Sequence, residues 1–179
     1  MRLTPDDRVL DLGCGTARVA SLLADRVAEV VGVDYSTTAL RVGSQRRPKA
    51  NMKLIAGDLN DFDVTPFRAT KAYAVGSLFY LNSFEIAVGL IADVVDNGGD
   101  FVGIDFPDEE TPDPRQRHYN QSIYTHETFT KHALARRFPN AIFHRDLFPS
   151  YVNDPYRFSI VVPATDGNRA HEGDRRSAR

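Results

Sequence analysis

Five short runs of Val, Ile, Leu and Phe, each followed by a stretch of helical periodicity, constrain this chain more than any other feature. Arg8–Leu12 reads as a first strand, closed by the turn Gly13-Cys14-Gly15. Residues 16–25 follow as a helix, with Val19, Leu22 and Leu23 spaced to face one side. Residues 29–33 form a second buried strand ending at Asp34, and Ser36 is placed to cap the next helix, which Pro48 stops. A third strand is expected at 51–55 and a fourth at Lys71–Val75. Asn82 or Ser83 then caps a helix carrying Phe84, Ala87, Val88 and Ile91 on one face. Asn97-Gly98-Gly99 ends it with residues that tolerate left-handed geometry, and 101–105 is a fifth strand. Continuous apolar strands alternating with helices demand a parallel sheet covered on both faces.

After the fifth strand the rhythm changes. A polar loop over 107–122 leads to a helix at 125–138, and two strands follow directly at 141–147 and 156–162. The turn Val152-Asn153-Asp154-Pro155 joins them, which predicts an antiparallel pair at one sheet edge. The fold class is therefore α/β, a doubly wound, mostly parallel seven-stranded sheet with an antiparallel C-terminal hairpin. One domain over 1–163 accounts for it, and the polar, aperiodic stretch 164–179 is expected to be a disordered tail. With 22 basic against 24 acidic side chains, no global field points to nucleic acid or an anionic membrane. No 18 apolar residues run together, and the single Cys14 excludes an intramolecular disulfide. A cytoplasmic protein is the expectation.

The sharpest signal is Val9-Leu10-Asp11-Leu12-Gly13-Cys14-Gly15-Thr16-Ala17. A strand ending in two closely spaced glycines lets the backbone approach a ligand, and free N–H groups at the helix start would favour an anionic group there. Taken alone such a turn is weak evidence, because many are only tight strand–helix connections. Asp34, at the end of the next strand, is placed to accept hydrogen bonds from ribose hydroxyls, although an ordinary solvated aspartate would also end a strand. A dinucleotide fingerprint requires a third small residue where this chain has Arg18, so the spacing argues against NAD or FAD.

Asp11-Leu12-Gly13-Cys14-Gly15-Thr16, Gly32-Val33-Asp34-Tyr35-Ser36 and Gly57-Asp58-Leu59 resemble, in order and spacing, the first three motifs of class I S-adenosylmethionine-dependent methyltransferases. The resemblance covers roughly residues 3 to 162. It implies S-adenosylmethionine as cofactor, with Gly13 and Gly15 lining the methionine part around Cys14, and Asp11 ordering the turn or reaching the amino group. Asp34 would hold the ribose and Tyr35 would lie against the adenine. Asp58 would accept from the adenine amino group, and the Leu59 backbone N–H would address the ring. Ala17 stands where the family often has a third glycine.

Gly76-Ser77-Leu78-Phe79-Tyr80-Leu81 follows the fourth strand, at the carboxyl edge where ligands of such sheets bind, which adds Gly76 to the cofactor set. The Asn/Asp-Pro-Pro-aromatic tetrapeptide of DNA amino-methyltransferases is absent, as is the paired-glutamate loop of protein-arginine enzymes. Cys14 lies in the cofactor turn, a poor place for the nucleophile of cytosine-C5 enzymes. These absences disfavour nucleic acid and leave a small-molecule or glycan acceptor, methylated on oxygen or nitrogen. Acids at 105–110 read as a solvated loop rather than a metal site, and the five histidines show no ligand spacing. An oxygen acceptor calls for a general base, for which Tyr80 and His118 are the candidates, ahead of Asp105, Tyr119 and Tyr124. Related enzymes usually carry helices ahead of the first strand that close over the cofactor. Here Met1-Arg2-Leu3-Thr4-Pro5-Asp6-Asp7 is too short and too polar for one. A second copy, a partner protein or the 107–122 loop is expected to cover the open site. Two alternatives stand beside this reading: a non-catalytic or partner-dependent cofactor-binding subunit, and an aminopropyl-transferase-like enzyme on the same fold.

Overall fold

A computed structural model of the chain describes residues 2–107, 131–145 and 157–165. Among the described residues seven strands form one sheet in the order β3-β2-β1-β4-β5-β7-β6. The strands are β1 (Arg8–Leu12), β2 (Glu29–Asp34), β3 (Met52–Ala56), β4 (Lys71–Val75), β5 (Asp100–Pro107), β6 (Ile142–Arg145) and β7 (Arg157–Val162). Helices α1 (Arg18–Leu23), α2 (Thr37–Arg46), α3 (Phe84–Asp96) and α4 (Lys131–Arg137) intervene. Strands β1 to β5 pair in parallel, whereas β7 runs antiparallel between β5 and β6. The expected hairpin thus forms, with β6 as the edge. Chain order reverses between β1 and β4, and this switch point is where an open sheet of this kind offers a crevice.

The helix starts obey local chemistry. The Ser36 hydroxyl accepts from Ala39 N at 3.2 Å and opens α2. Ser83, rather than Asn82, caps α3, its hydroxyl accepting from Ile86 N at 3.2 Å. Such caps satisfy backbone donors that a helix start leaves unpaired, for about 1 kcal/mol each. Helix α3 buries Ala87, Val88, Leu90, Ile91, Val94 and Val95 against one sheet face. With Leu10, Leu12, Val33, Phe101 and Ile160 they make the larger core.

The other face corrects one expectation. On α1 it is Ala17, Ala20 and Ala24 that pack on Val9, Val27 and Val30, while Val19 and Leu22 are 39% and 65% exposed. Leu23 is half-buried against the same cluster. Ala17, at the helix start, has the left-handed φ of 56° and sets the helix rotation. Small side chains at that spacing let the helix lie close to the sheet, and the bulky residues between them turn outward. At the C-terminal end the packed chain runs to residue 165, past the expected boundary at 163. Ala164 is buried and its N–H donates to Asp100 Oδ1 at 2.9 Å, while Lys71 pairs with Asp100 Oδ2 at 2.7 Å. Most of the 107–122 loop, the first turns of the 125–138 helix, the 152–155 turn and the rest of the tail lie outside the described residues.

Candidate active site

The turn after β1 is held from three sides. Gly13 N and Cys14 N both donate to the Val33 carbonyl, at 2.8 and 2.9 Å. Gly15 N donates to Asp34 Oδ2 at 2.7 Å, and Ser36 N to Asp34 Oδ1 at 2.8 Å. The expectation that N–H groups here stand free for an anionic ligand is therefore corrected at these three residues. Neighbouring β2 uses them because its carboxyl end lies alongside the turn. Gly13 has φ +81°, and a Cβ there would run into Ser77 Cβ, so only glycine fits. Ser77 lies two residues beyond β4, and its hydroxyl donates to the Leu12 carbonyl at 2.6 Å.

These strand ends enclose a cavity of about 510 Å³. From β1 and β2 come Gly13, Asp34 and Tyr35. The segment after β3 adds Gly57, Asp58, Leu59 and Asn60. Strand β4 and the 3-10 turn beyond it supply Val75, Gly76, Ser77, Tyr80 and Leu81. Asp58 Oδ1 accepts from the Asn60 backbone N–H at 3.0 Å and its side-chain amide at 2.7 Å, which holds the carboxyl below the usual carboxylate range. Asn60 Oδ1 in turn accepts from Asn82 N at 2.8 Å, tying this wall to the segment before α3.

Six residues of the expected cofactor set thus meet in one cavity: Gly13, Asp34, Tyr35, Asp58, Leu59 and Gly76. Tyr80 joins them at the mouth, 64% exposed, and Tyr35 is 82% exposed. Asp11, Cys14 and Gly15 do not line it. Asp11 is buried, and its Oδ2 accepts from the Tyr73 hydroxyl at 2.6 Å. Burial foremost pushes its carboxyl up to about 7, with the Asp34 charge adding to the rise and the Tyr73 bond opposing it. Asp11 thus stands off the cavity wall, bonded to Tyr73 of the neighbouring strand. The Cys14 Sγ lies against Gly32, where a Cβ would meet it at 2.8 Å. Burial, then the Asp11 and Asp34 charges, push this thiol up to about 12, which makes it inert as a nucleophile. Gly15 supports Asp34 instead of facing the cavity.

His118, Tyr119 and Tyr124 lie outside the described residues. Sequence reasoning missed Gly57, Asn60, Val75, Ser77 and Leu81 as lining residues. Ser77 had a signal, since it directly follows Gly76 at the carboxyl end of β4. Asn60 had none, because its place depends on a contact with Asn82 across the crevice.

Among the described residues, Asp34 and Asp58 are the charged side chains of the cavity wall, and no Lys, Arg or His lines it. Each Asp34 oxygen spends one lone pair on a backbone N–H and keeps another. Such a donor and acceptor set fits a nucleoside with a cationic arm: acceptors for hydroxyls, an exposed aromatic face, and no counter-charge for a pyrophosphate. With the sheet order, this defines the class as the Rossmann-like methyltransferases that use S-adenosylmethionine.

Comparison with known proteins agrees. Residues 9–99 match the family model described as a methyltransferase domain. The chain belongs to this family. A curated relative, a demethylmenaquinone methyltransferase of Beutenbergia cavernae, is 34% identical over 91 residues, 51% of this chain and 36% of the relative. The match therefore spans about a third of that protein's length. Among solved structures, an S-adenosylmethionine-dependent methyltransferase from Mesorhizobium loti superposes with a TM-score of 0.69 at 15% identity, over 90% of this chain and 92% of that one. The complex between the Trm112 methyltransferase activator and a methyltransferase from Haloferax volcanii gives 0.70 at 18% identity, covering 92% and 86%. At these identities the two structures speak for the fold.

Proposed function

We propose that the protein transfers the methyl group of S-adenosylmethionine to an oxygen or nitrogen atom of a small molecule or glycan. The observation that carries the reading is the sign of the cavity: among the described residues it is lined by two carboxylates and no cation, at the switch point of the sheet. A sulfonium and an ammonium are welcome there, and the phosphates of NAD or of a nucleic-acid acceptor are not. Asp34 would hold the ribose through its remaining lone pairs. Tyr35 would cover the adenine, with Asp58 and the Leu59 backbone at the ring edge. Gly13 and Gly76 leave room for the methionine arm. When bound, the cofactor supplies an electrophilic methyl on a positively charged sulfur. The task left to the chain is to align an acceptor in line with that methyl and to keep water out.

Tyr80, on the wall and at the mouth, is the residue on hand to face an acceptor, and His118 is the second candidate. A cover over the exposed Tyr35 and Tyr80 would come from a second copy, a partner or the 107–122 loop. That the Haloferax volcanii neighbour was solved with an activator supports the partner version. No helix among the described residues is long and apolar enough to cross a membrane. Calorimetric titration tests the cofactor: S-adenosylmethionine and S-adenosylhomocysteine are expected to bind and NAD is not, and the reverse would refute the reading. Radiolabelled S-adenosylmethionine incubated with cell extract then identifies the acceptor class. Binding without labelling of any small molecule or glycan would favour the partner-dependent subunit.

A further inference from the structure

Charge is spread unevenly along the chain. Residues 16–53 hold seven of its 22 basic side chains but three of its 24 acidic ones. Asp25 and Glu29 pair with Lys49 and Lys53, and Asp34 is buried at the cavity. Five arginines are left over, and none forms an ion pair among the described residues. Four of them, Arg18, Arg26, Arg41 and Arg46, are exposed, while Arg47 donates from Nη1 to the Thr16 carbonyl at 3.2 Å. That bond, with Gly43 packed against the same carbonyl, sets α2 beside the start of α1. Because Ala17, Ala20 and Ala24 turn α1 inward, Arg18, Val19 and Leu22 share its outer side, with Arg26 in the turn just beyond. On α2, Leu40 and Gly43 are buried and Arg41 and Arg46 face out. The outer layer of these two helices is thus an exposed aliphatic centre flanked by unpaired arginines. It starts at the carboxyl edge of the sheet, beside Gly13 and Tyr35 of the cavity.

We propose that this face docks on an anionic lipid bilayer, with Val19 and Leu22 entering the acyl boundary and the arginines resting on lipid phosphates. A basic rim around exposed aliphatic side chains matches such a surface, through attraction to the headgroups and burial of apolar area. The excess of acids over the rest of the chain orients the molecule, turning this face toward the bilayer and the remainder away. A nucleic acid would also meet the arginines. However, α1 and α2 carry no aromatic ring on which its bases could stack, and exposed valine and leucine gain nothing from phosphates. A docked chain presents the mouth of its cavity at the edge of the lipid surface.

The test is co-sedimentation of the full chain with vesicles of phosphatidylcholine alone, and of phosphatidylcholine and phosphatidylglycerol in equal parts. Binding is expected to the anionic vesicles, and to weaken as salt is raised. Each arginine near such a surface contributes about fivefold, so Arg18→Gln with Arg41→Gln should bind about 25-fold more weakly. Leu22→Ser should cost about tenfold, because an inserted leucine leaves water. Arg136→Gln with Arg137→Gln is the control: α4 packs in the other core, so these charges are screened from the docking face and binding should stay within about twofold. Every side chain exchanged is exposed, so the variants should fold, and their melting temperatures check it. Equal binding to both kinds of vesicle, binding to neither, or a Leu22→Ser variant as tight as the parent would overturn the proposal. So would an equal loss in the α4 variant, or preference for a single-stranded oligonucleotide over the anionic vesicles. A dimer that Leu22→Ser dissociates, seen by light scattering, would give the face to a second copy and overturn it too.

Discussion

Asp11→Asn should make the protein more stable above neutral pH. The carboxyl is 3% exposed, in register opposite Tyr73 on β4, and burial pushes its pKa up from 3.8 to about 7. Consider rising pH. The unfolded chain releases this proton near 3.8, while the folded chain keeps it until about 7. Between those values the unfolded state holds fewer protons, so stability falls as pH rises, and above 7 the loss from this group is complete. A gap of about three pKa units at 1.36 kcal/mol each makes that loss about 4 kcal/mol at most. An asparagine keeps an acceptor for the Tyr73 hydroxyl and has no charge to bury. Near pH 4.5 only about 1 kcal/mol of that loss has set in, so the variant and the parent should melt close together. At pH 8 the variant should be the more stable, by on the order of 10 °C in a chain of this size. Carboxyls pulled down by hydrogen bonds, such as Asp58 by Asn60, titrate below this window and do not confuse it. Thermal melts of both proteins at half-unit steps from pH 4.5 to 8.5 read the effect. Parallel pH profiles, or a variant less stable at pH 8, would show that Asp11 is ionised in the native state and refute the reasoning.

Asp34→Asn and Asp34→Ala should separate ligand binding from folding. Both are expected to weaken S-adenosylmethionine about 10- to 100-fold by calorimetry, through lost charge-assisted bonds. The alanine variant leaves both Gly15 N and Ser36 N without an acceptor and should lose about 1–3 kcal/mol in urea unfolding, whereas the asparagine keeps one acceptor oxygen, serves one of the two N–H groups, and should lose less. Loss of stability without loss of affinity would place the ribose elsewhere. Leu22→Ala should cost under about 1 kcal/mol, because the side chain is already 65% exposed, whereas Ile91→Ala in the core should cost about 2–5 kcal/mol. Similar costs in denaturant melts would mean that α1 turns its leucine inward after all.

Much of the fold was legible in the chain because its evidence is local. Apolar runs bounded by turn residues placed β1 and β4 to the residue, and Ser36 and Ser83 sat where a helix start needs an acceptor. That Asp34 and Gly76 line the cavity was legible for a related reason, while Tyr35 and Asp58 were named through the resemblance of their motifs. In a parallel sheet every strand delivers its carboxyl end to the same edge, so position along a strand is position relative to the site.

Which donors and acceptors pair across the sheet was decided by tertiary structure alone. Asp11 meets Tyr73 across 62 residues of sequence, and Ser77 meets Leu12 across 65. Neither pairing leaves a trace in local composition. The same holds for the turn N–H groups that Val33 and Asp34 consume, which in the sequence look free for a ligand. Helix α1 shows the limit most plainly. Periodicity allowed two faces, an alanine face and a Val19–Leu22 face, and hydrophobicity favoured the second. Packing on the sheet selected the first, with Ala17, Ala20 and Ala24 set against Val9, Val27 and Val30.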